Sequence, residues 1–535
     1  MLRIGRVFLA LAGLGCADVG YELLVQEAGA DVPRTCFQLP NELPKASLGA
    51  FFISGPAKFE IGGYRFKSFF DGYGRVNRFE LNDREVCFTA KFLNTTYLQK
   101  AESLGRICNG PKFLGTEPEL PDCPLKDPAC FITGAMLDNN WVNLMPGVGE
   151  GLLVTDSPFF VRLDYDTLTV RGAYPWKDAL PMSDGLMPTW MNKFHVPATG
   201  SAHPLLRPKT ATYVEIMLEL AVTPFSNSTI ALYTIDSKTL DRALLAHVPV
   251  KSAQYFHSFG VTENYVVLPC NLKMTKPDFS KLVNSFHDAW DGIHVVDLKG
   301  NVQVFDTDKF FHVHIANTFE NSTGIVMDLG TWQHLPFSPH QLATDEFLNK
   351  TIRDSKTMGS QVERLHLHLQ GPHKGEVSRE VLSPPGRQTD FFKINPLKNG
   401  LPYCIYYAVE WFHDDQAYAS MAILKHDLCQ RKRTYWAKQY SYPSEPIFIP
   451  TGTEEDAEDK GLVAFVTLDG TRKASDFVIL DAATLEEMVV VQLPVHIPFL
   501  AHGQFIPRQA REIVKAALDV EHPELAAAVE ATFQI

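Results

Sequence analysis

The sequence predicts an all-β fold arranged as a β-propeller or another radial array of small sheets. Three observations lead there: short strand-like runs, a recurring turn, and little helical periodicity. Through the middle of the chain, runs rich in Val, Ile, Leu and Tyr alternate with Asp/Asn/Gly/Pro clusters, the pattern of short strands joined by tight turns. One turn recurs, in which an apolar strand end is followed by Asp, two variable residues, Thr or Gly, and a new strand. It stands at Asp164-Tyr165-Asp166-Thr167-Leu168, Asp236-Ser237-Lys238-Thr239-Leu240, Asp297-Leu298-Lys299-Gly300-Asn301 and Asp481-Ala482-Ala483-Thr484-Leu485. An Asp at this place accepts a hydrogen bond from the backbone two residues on and so suits a hairpin. The first three copies lie roughly 60–70 residues apart, the spacing of a repeated sheet unit. Four ordinary hairpins in unrelated sheets are the alternative.

Helical stretches are few. Thr344 to Lys356 reads as a short helix in a connection. In the tail, Pro507 to Phe533, the apolar residues Ile513, Ala516, Ala517, Val520, Leu525, Ala528, Val529 and Phe533 recur at helical spacing, with a break at Pro523. The expected organisation is a leader over 1–17, a propeller over 35–508 and a helical tail over 509–535.

Composition narrows the function. With 535 residues and 45% hydrophobic content the chain buries a large core and is not globally disordered. Its net charge of −13 comes without any basic block, which argues against nucleic-acid binding, since phosphates require clustered Lys and Arg. The N-terminus carries Arg3 and Arg6, the apolar run Val7 to Leu14, and small residues at Gly15 and Ala17, as a secretory signal does. Removing it takes Cys16 and leaves an even number of cysteines. Four Asn-x-Ser/Thr sequons stand at Asn94, Asn227, Asn321 and Asn349. No later segment reaches ~18 consecutive apolar residues, the length of a transmembrane helix.

The chemistry rests on histidines. His203, His257 and His314 are spaced 54 and 57 residues apart, close to one repeat unit, and His502 follows far downstream. Equivalent positions of successive propeller sheets converge on the axis, so these four could meet there. Four imidazoles suit Fe, Zn, Cu or Ni. The opposing reading is that each is a hydrogen-bonded core residue. His312 shares the strand of His314 two residues away, and spacing does not separate them. His366 and His368 form a similar pair that could hold a surface ion or be solvated.

At these residues the sequence resembles the carotenoid cleavage oxygenase family, in particular its animal-type branch. The likeness runs from about residue 38 to 507 as an ordered series. It comprises Phe69-Phe70-Asp71-Gly72-Tyr73-Gly74, Leu137-Asp138-Asn139-Asn140-Trp141-Val142-Asn143, Pro146-Gly147-Val148-Gly149-Glu150, Tyr442-Pro443-Ser444-Glu445-Pro446 and Leu480-Asp481-Ala482. The resemblance implies a seven-bladed propeller with one Fe(II) on its axis, held by His203, His257, His314 and His502. Here the motif His-x-x-Asn-x-aromatic-Glu selects His314 over His312. A cap of loops and helices would cover a substrate tunnel.

Carboxylates orient the ligand histidines in that family. Glu445 matches one of them. The other two family glutamates fall on Asp156 and Asp390, each one methylene shorter. The implied activity is cleavage of a conjugated double bond in a carotenoid or apocarotenoid with O2. The rivals are a retinyl-ester isomerohydrolase on the same scaffold, a propeller that binds carotenoids or retinoids without turnover, and a plain interaction propeller. Asn94-Thr95-Thr96-Tyr97 lies near the place where stilbene-cleaving relatives carry a lysine, and its amide and hydroxyls supply no such charge, which disfavours phenolic stilbenes. Burial of Asn94 there would shield its sequon. Asp127-Pro128-Ala129-Cys130 is similar to a loop at a membrane-facing entrance, and makes Cys130 a candidate for lipid attachment. The localisation expectations diverge: the leader points to the secretory pathway, and the branch points to cytoplasmic membranes.

Overall fold

A computed structural model describes residues 18–508 except 122–137, 148, 182, 184–185, 224–225, 275–280, 334, 336–341, 356–359 and 415. The leader, the tail over 509–535 and Cys130 lie outside the described residues. Among those described, seven antiparallel sheets of four or five strands follow one another along the chain. Six of them are sequential and occupy 143–173, 195–249, 260–305, 311–381, 388–436 and 441–492. The other joins the two ends. In it the C-terminal strand Gly503–Pro507 pairs with Gly49–Lys58, beside Tyr73–Asn82, Glu85–Phe92 and Val32–Gln38.

The ring closes strand by strand. Gly503–Pro507 lies against Asn143–Pro146, and Leu205–Leu206 against Gly260–Val261, which in turn meets Phe311–Glu320. Phe311–Glu320 meets Gln388–Ile394, which meets Ile447–Pro450, which returns to Gly503–Pro507. Asn143 Nδ2 donates to Ala202 O at 3.0 Å and completes the circuit. This is a β-propeller, as the turn pattern predicts.

There is no single central core. Apolar layers lie between successive sheets, which makes the middle strands apolar on both faces. In Gly49–Lys58, Ala50 and Phe52 pack toward the 143–173 sheet, while Phe51 and Ile53 pack toward the 441–492 sheet. The alternation is the period-2 geometry of a strand. In the second layer Phe477 stacks on Phe79 with centroids 4.2 Å apart and planes 9° apart.

The predicted Asp turn is real. Asp164 Oδ1 accepts from the amides of Asp166 and Thr167, Asp236 from Lys238 and Thr239, Asp297 from Lys299, and Asp481 from Ala483 and Thr484. Each joins the last two strands of its sheet. Asp427 forms a further copy, accepting from Gln430 N at 2.8 Å, in a sequence too divergent to show the pattern. The fifth turn position is left-handed at Leu168, Leu240, Arg431 and Leu485.

Small elements cover the ring. Helix Thr96–Leu104 is capped by the Thr95 side chain, which accepts from Leu98 N, and ends at left-handed Gly105. Asp138 accepts from the Thr96 and Tyr97 amides and finishes the cap. The helix expected over 344–356 is two short ones, Thr344–Leu348 and Lys350–Arg353, because Asn349 breaks the first and caps the second. The packed body also begins before residue 35. The turn Tyr21–Val25 is buried, with Tyr21 against Phe347 and Tyr442.

Candidate metal centre

The four histidines come from four different sheets and converge. His203 Nε2 and His257 Nε2 are 3.2 Å apart, His257 and His314 3.2 Å, and His314 and His502 3.1 Å. All four ligand nitrogens lie within 4.8 Å of one another. His314 is 8% exposed and His502 2%, while His203 and His257 are half-buried on the open side.

Local irregularity aims these rings. Strand Phe311–Glu320 loses register between His312 and Ile315 and again before Asn317. A regular strand would send residues 312 and 314 the same way; the bulge separates them. The His312 ring sits against Asn271 Nδ2 and Ser258 O, with both nitrogens occupied. It is therefore a core residue, and His314 reaches the cluster. His502 arrives immediately before the closing strand Gly503–Pro507. The turns bearing His203 and His257 are tied by Ser201 Oγ, which donates to His257 O and accepts from His203 N.

Three of the rings are held from behind. His257 Nδ1 lies 3.0 and 3.1 Å from the Asp156 oxygens, His314 Nδ1 2.8 Å from Asp390 Oδ1, and His502 Nδ1 2.8 Å from Glu445 Oε1. The shorter aspartates reach directly. Tyr255 O–H donates to Asp156 at 2.6 Å, and Asp390 sits where its strand shifts register before Lys393. Glu445 is buried, which pushes its carboxyl up; Lys393 at 3.3 Å and the Gly503 amide at 2.9 Å oppose that.

The tautomers follow. An ionised carboxylate only accepts, so each Nδ1 it touches carries the proton and each Nε2 is a bare lone pair. Burial first, and the neighbouring imidazoles second, hold His203 and His502 well below the ordinary histidine range. Lone pairs facing each other at 3.1–3.2 Å repel unless a cation lies between them. Such separations are edges that a cation spans with bonds of about 2 Å, the metal–imidazole distance. Four neutral nitrogens in a preformed cluster, with compensating carboxylates behind, fit a divalent metal. No carboxylate touches the His203 ring among the described residues.

An aromatic cavity of roughly 60 Å³ lies beside Glu445 and Phe391, the residues that contact the His502 ring. Phe391, Trp411, Tyr418, Met421, Phe347 and Phe499 line it, and Glu445 closes one wall. Phe391 also contacts the rings of His314 and His502 at centroid distances of 5.2 and 5.5 Å. Its φ of 57° is uncommon for a residue with a side chain. Sequence reasoning missed Phe391, Tyr255 and Lys393. The register shift that aims Phe391 has no sequence signature beyond the repeated Phe391-Phe392.

Other candidates do not form sites. His366 and His368 stack at 4.0 Å and bond Thr323 Oγ1 and Ser378 Oγ. Cys36 and Cys87, which lie near Glu85, are joined in a disulfide. Asn94 is exposed, so burial does not shield its sequon. Two of the motif stretches meet: Gly74 N donates to Asn139 Oδ1 and Asn139 Nδ2 to Gly72 O, both at 3.0 Å. A Cβ on Gly74 would stand 2.5 Å from that of Trp141, hence the glycine.

Comparison with known proteins agrees with this architecture. The family model described as retinal pigment epithelial membrane protein matches residues 30–507. A carotenoid isomerooxygenase of Galleria mellonella is 24% identical, over 88% of this chain and 94% of its own. A mitochondrial carotenoid-cleaving dioxygenase of Homo sapiens is 23% identical, over 87% of each. Among solved structures, cobalt-substituted Synechocystis apocarotenoid oxygenase superposes with a TM-score of 0.72 at 22% identity, covering 91% of this chain and 98% of its own. With nearly its whole propeller matched, this chain belongs to the carotenoid oxygenase family that the retinal pigment epithelial membrane protein model describes.

Proposed function

We propose that this protein is a non-haem iron dioxygenase that cleaves a conjugated C=C bond of a carotenoid or apocarotenoid. One observation carries the reading: four inward Nε2 atoms converge within 4.8 Å, with three of their rings fixed by carboxylates. His203, His257, His314 and His502 would hold one Fe(II). When bound, the iron supplies the redox chemistry that activates O2. Similarity to carotenoid-cleaving relatives supports the substrate class, and a cobalt-substituted neighbour supports a divalent metal.

The chain's own residues do the rest. Asp156, Asp390 and Glu445 keep the Nδ1 protons in place, so the nitrogens toward the metal stay unprotonated. Phe391 lies against the His314 and His502 rings, and with Trp411 and Phe499 it offers ring faces to a flat, apolar polyene. How far the polyene passes the four histidines sets which double bond reacts. In the net step the C=C bond breaks and each of its carbons gains one oxygen atom from O2, giving two carbonyls with no external reductant. No carboxylate is required as a general base. Carotenoids partition into lipid, so the proposal includes peripheral contact with a membrane surface.

The test is incubation of the iron-loaded protein with micellar carotenoid and heavy-isotope O2. Aldehyde products, each carrying one labelled oxygen atom, with matching O2 uptake are expected. Turnover of a retinyl ester without O2 uptake would replace this reading with isomerohydrolysis. Tight carotenoid binding by an iron-free chain would replace it with a carrier role.

A further inference from the structure

We propose that this chain is an N-glycoprotein of an oxidising compartment, with Asn94, Asn227, Asn321 and Asn349 as the acceptors. All four sequons end in Thr, and all four asparagines are exposed. Each lies in a connection. Asn94 precedes helix Thr96–Leu104, and Asn227 lies between strands Thr212–Ala221 and Thr229–Asp236. Asn321 forms the turn between Phe311–Glu320 and Gly324–Trp332, and Asn349 separates the two short helices.

The use of the side-chain amide sets Asn321 and Asn349 apart from the asparagines that tie the fold together. Asn77, Asn139, Asn143, Asn317 and Asn399 each spend Nδ2 as a donor to a backbone carbonyl. A sugar there would break an internal bond. At Asn321 and Asn349 the fold uses Oδ1 alone: Asn321 accepts from Thr323 and Gly324, and Asn349 caps its helix through Thr351 N and Ile352 N. An N-linked sugar replaces one Nδ2 hydrogen and leaves Oδ1 in place, so the turn and the cap survive modification. At Asn321 and Asn349 the fold thus uses the acceptor atom and not the attachment atom, on residues that are exposed.

Cysteine usage agrees independently. Cys36 and Cys87 are register partners on neighbouring strands and are joined, and Cys404 is joined to Cys429. Such bonds persist in oxidising compartments and are rare in reducing ones. The other described cysteines, Cys108 and Cys270, are buried thiols. The signal-like segment at the N-terminus provides a route to that compartment.

The chemistry balances. Nδ2 attacks the anomeric carbon of an oligosaccharide carried on a lipid diphosphate. The C–N bond forms, the C–O bond to phosphate breaks with its electron pair leaving on the lipid diphosphate, and nitrogen loses one proton. No redox change occurs. Each disulfide forms as two thiols release two protons and pass two electrons to a thiol–disulfide oxidoreductase. Bulky polar glycans would then cover connections spread around the ring.

The experiment expresses the full chain, with its own first residues, in a secretory eukaryotic cell. Glycopeptide mass spectrometry is run before and after peptide-N-glycosidase, with differential thiol alkylation. The expected result is a glycosidase-sensitive mobility shift, the asparagine-to-aspartate change at all four positions, and Cys36 and Cys87 protected from alkylation. Thr351→Ala, which leaves the Asn349 cap in place, should remove one step of the shift. An exported chain without glycan at any of the four overturns the proposal. So does a chain that stays in the cytosol with alkylated Cys36 and Cys87. An unmodified peptide at one position overturns the assignment of that asparagine.

Discussion

Replacing Asp390 by Asn isolates what a carboxylate behind a ligand histidine contributes. Asp390 is 6% exposed, and its Oδ1 accepts from both His314 Nδ1 at 2.8 Å and Phe391 N at 2.9 Å. Asn has nearly the same shape and removes the charge. The bond to His314 then becomes neutral, and charge-assisted bonds are about twice as strong as neutral ones. The amide can also turn its NH2 toward the ring, which would force the proton onto Nε2 and block that nitrogen. Losing such a partner typically weakens metal binding by about 10–100-fold, or roughly 1.4–2.7 kcal/mol. Competition of the protein against a chelator for Fe(II), read anaerobically, measures this directly. Asp390→Asn should lose affinity within that range, while Asp390→Glu, which restores the family's residue and keeps the charge, should stay close to the parent. Unchanged affinity in a folded Asp390→Asn chain would refute the positioning argument.

Three further outcomes follow from other parts of the fold. Tyr255→Phe removes the O–H bond to Asp156, so iron affinity should fall by up to about tenfold, or about 1.4 kcal/mol, since only part of the ~1.5–3 kcal/mol of a hydrogen bond to a charged group is passed on through the His257 ring; chelator competition with no change would sink that role. Phe477→Ala deletes a ring stacked on Phe79 and should cost about 3–5 kcal/mol in denaturant unfolding, with iron binding intact below the transition; a loss under about 1 kcal/mol would contradict the layered core. His426, buried and bonded to Tyr406 O–H, has its pKa pushed down to about 4, chiefly by burial. A histidine depressed in the folded state contributes stability above its unfolded value near 6.5 that is lost as pH falls toward 4, here up to about 3 kcal/mol. His426→Gln should flatten the acid limb of a stability-against-pH curve, and an unchanged limb would refute the assignment.

The ring was legible in the sequence because its repeat is local. Each Asp turn needs only a few consecutive residues, and Asp164, Asp236, Asp297 and Asp481 all behave as read. Asp427 escaped notice because Gln430 and Arg431 replace the Thr-Leu that follows in three of those copies. The four histidines could be chosen because each lies in or a few residues before a strand of the inner circuit, where equivalent positions approach the axis. Spacing could not separate His312 from His314. That depends on a bulge, a tertiary outcome of packing Phe311–Glu320 against its neighbours. Asp156 and Asp390 required the family resemblance, since a lone Asp before or within a strand looks like any other. Tyr255 and Phe391 act through distant partners and one left-handed backbone angle, which no local pattern encodes. The helix break at Asn349 is different: its capping chemistry was present in the sequence and was outweighed by the surrounding helical spacing.

In the proposed enzyme four imidazoles hold one iron. Elemental analysis of the anaerobically loaded chain, paired with X-ray absorption at the iron edge, tests it most directly. One iron per chain coordinated by histidine nitrogen is expected, with the metal lost in a folded His314→Ala variant and retained in His312→Gln. Full iron occupancy in His314→Ala, or a coordination shell dominated by carboxylate oxygen, would contradict it.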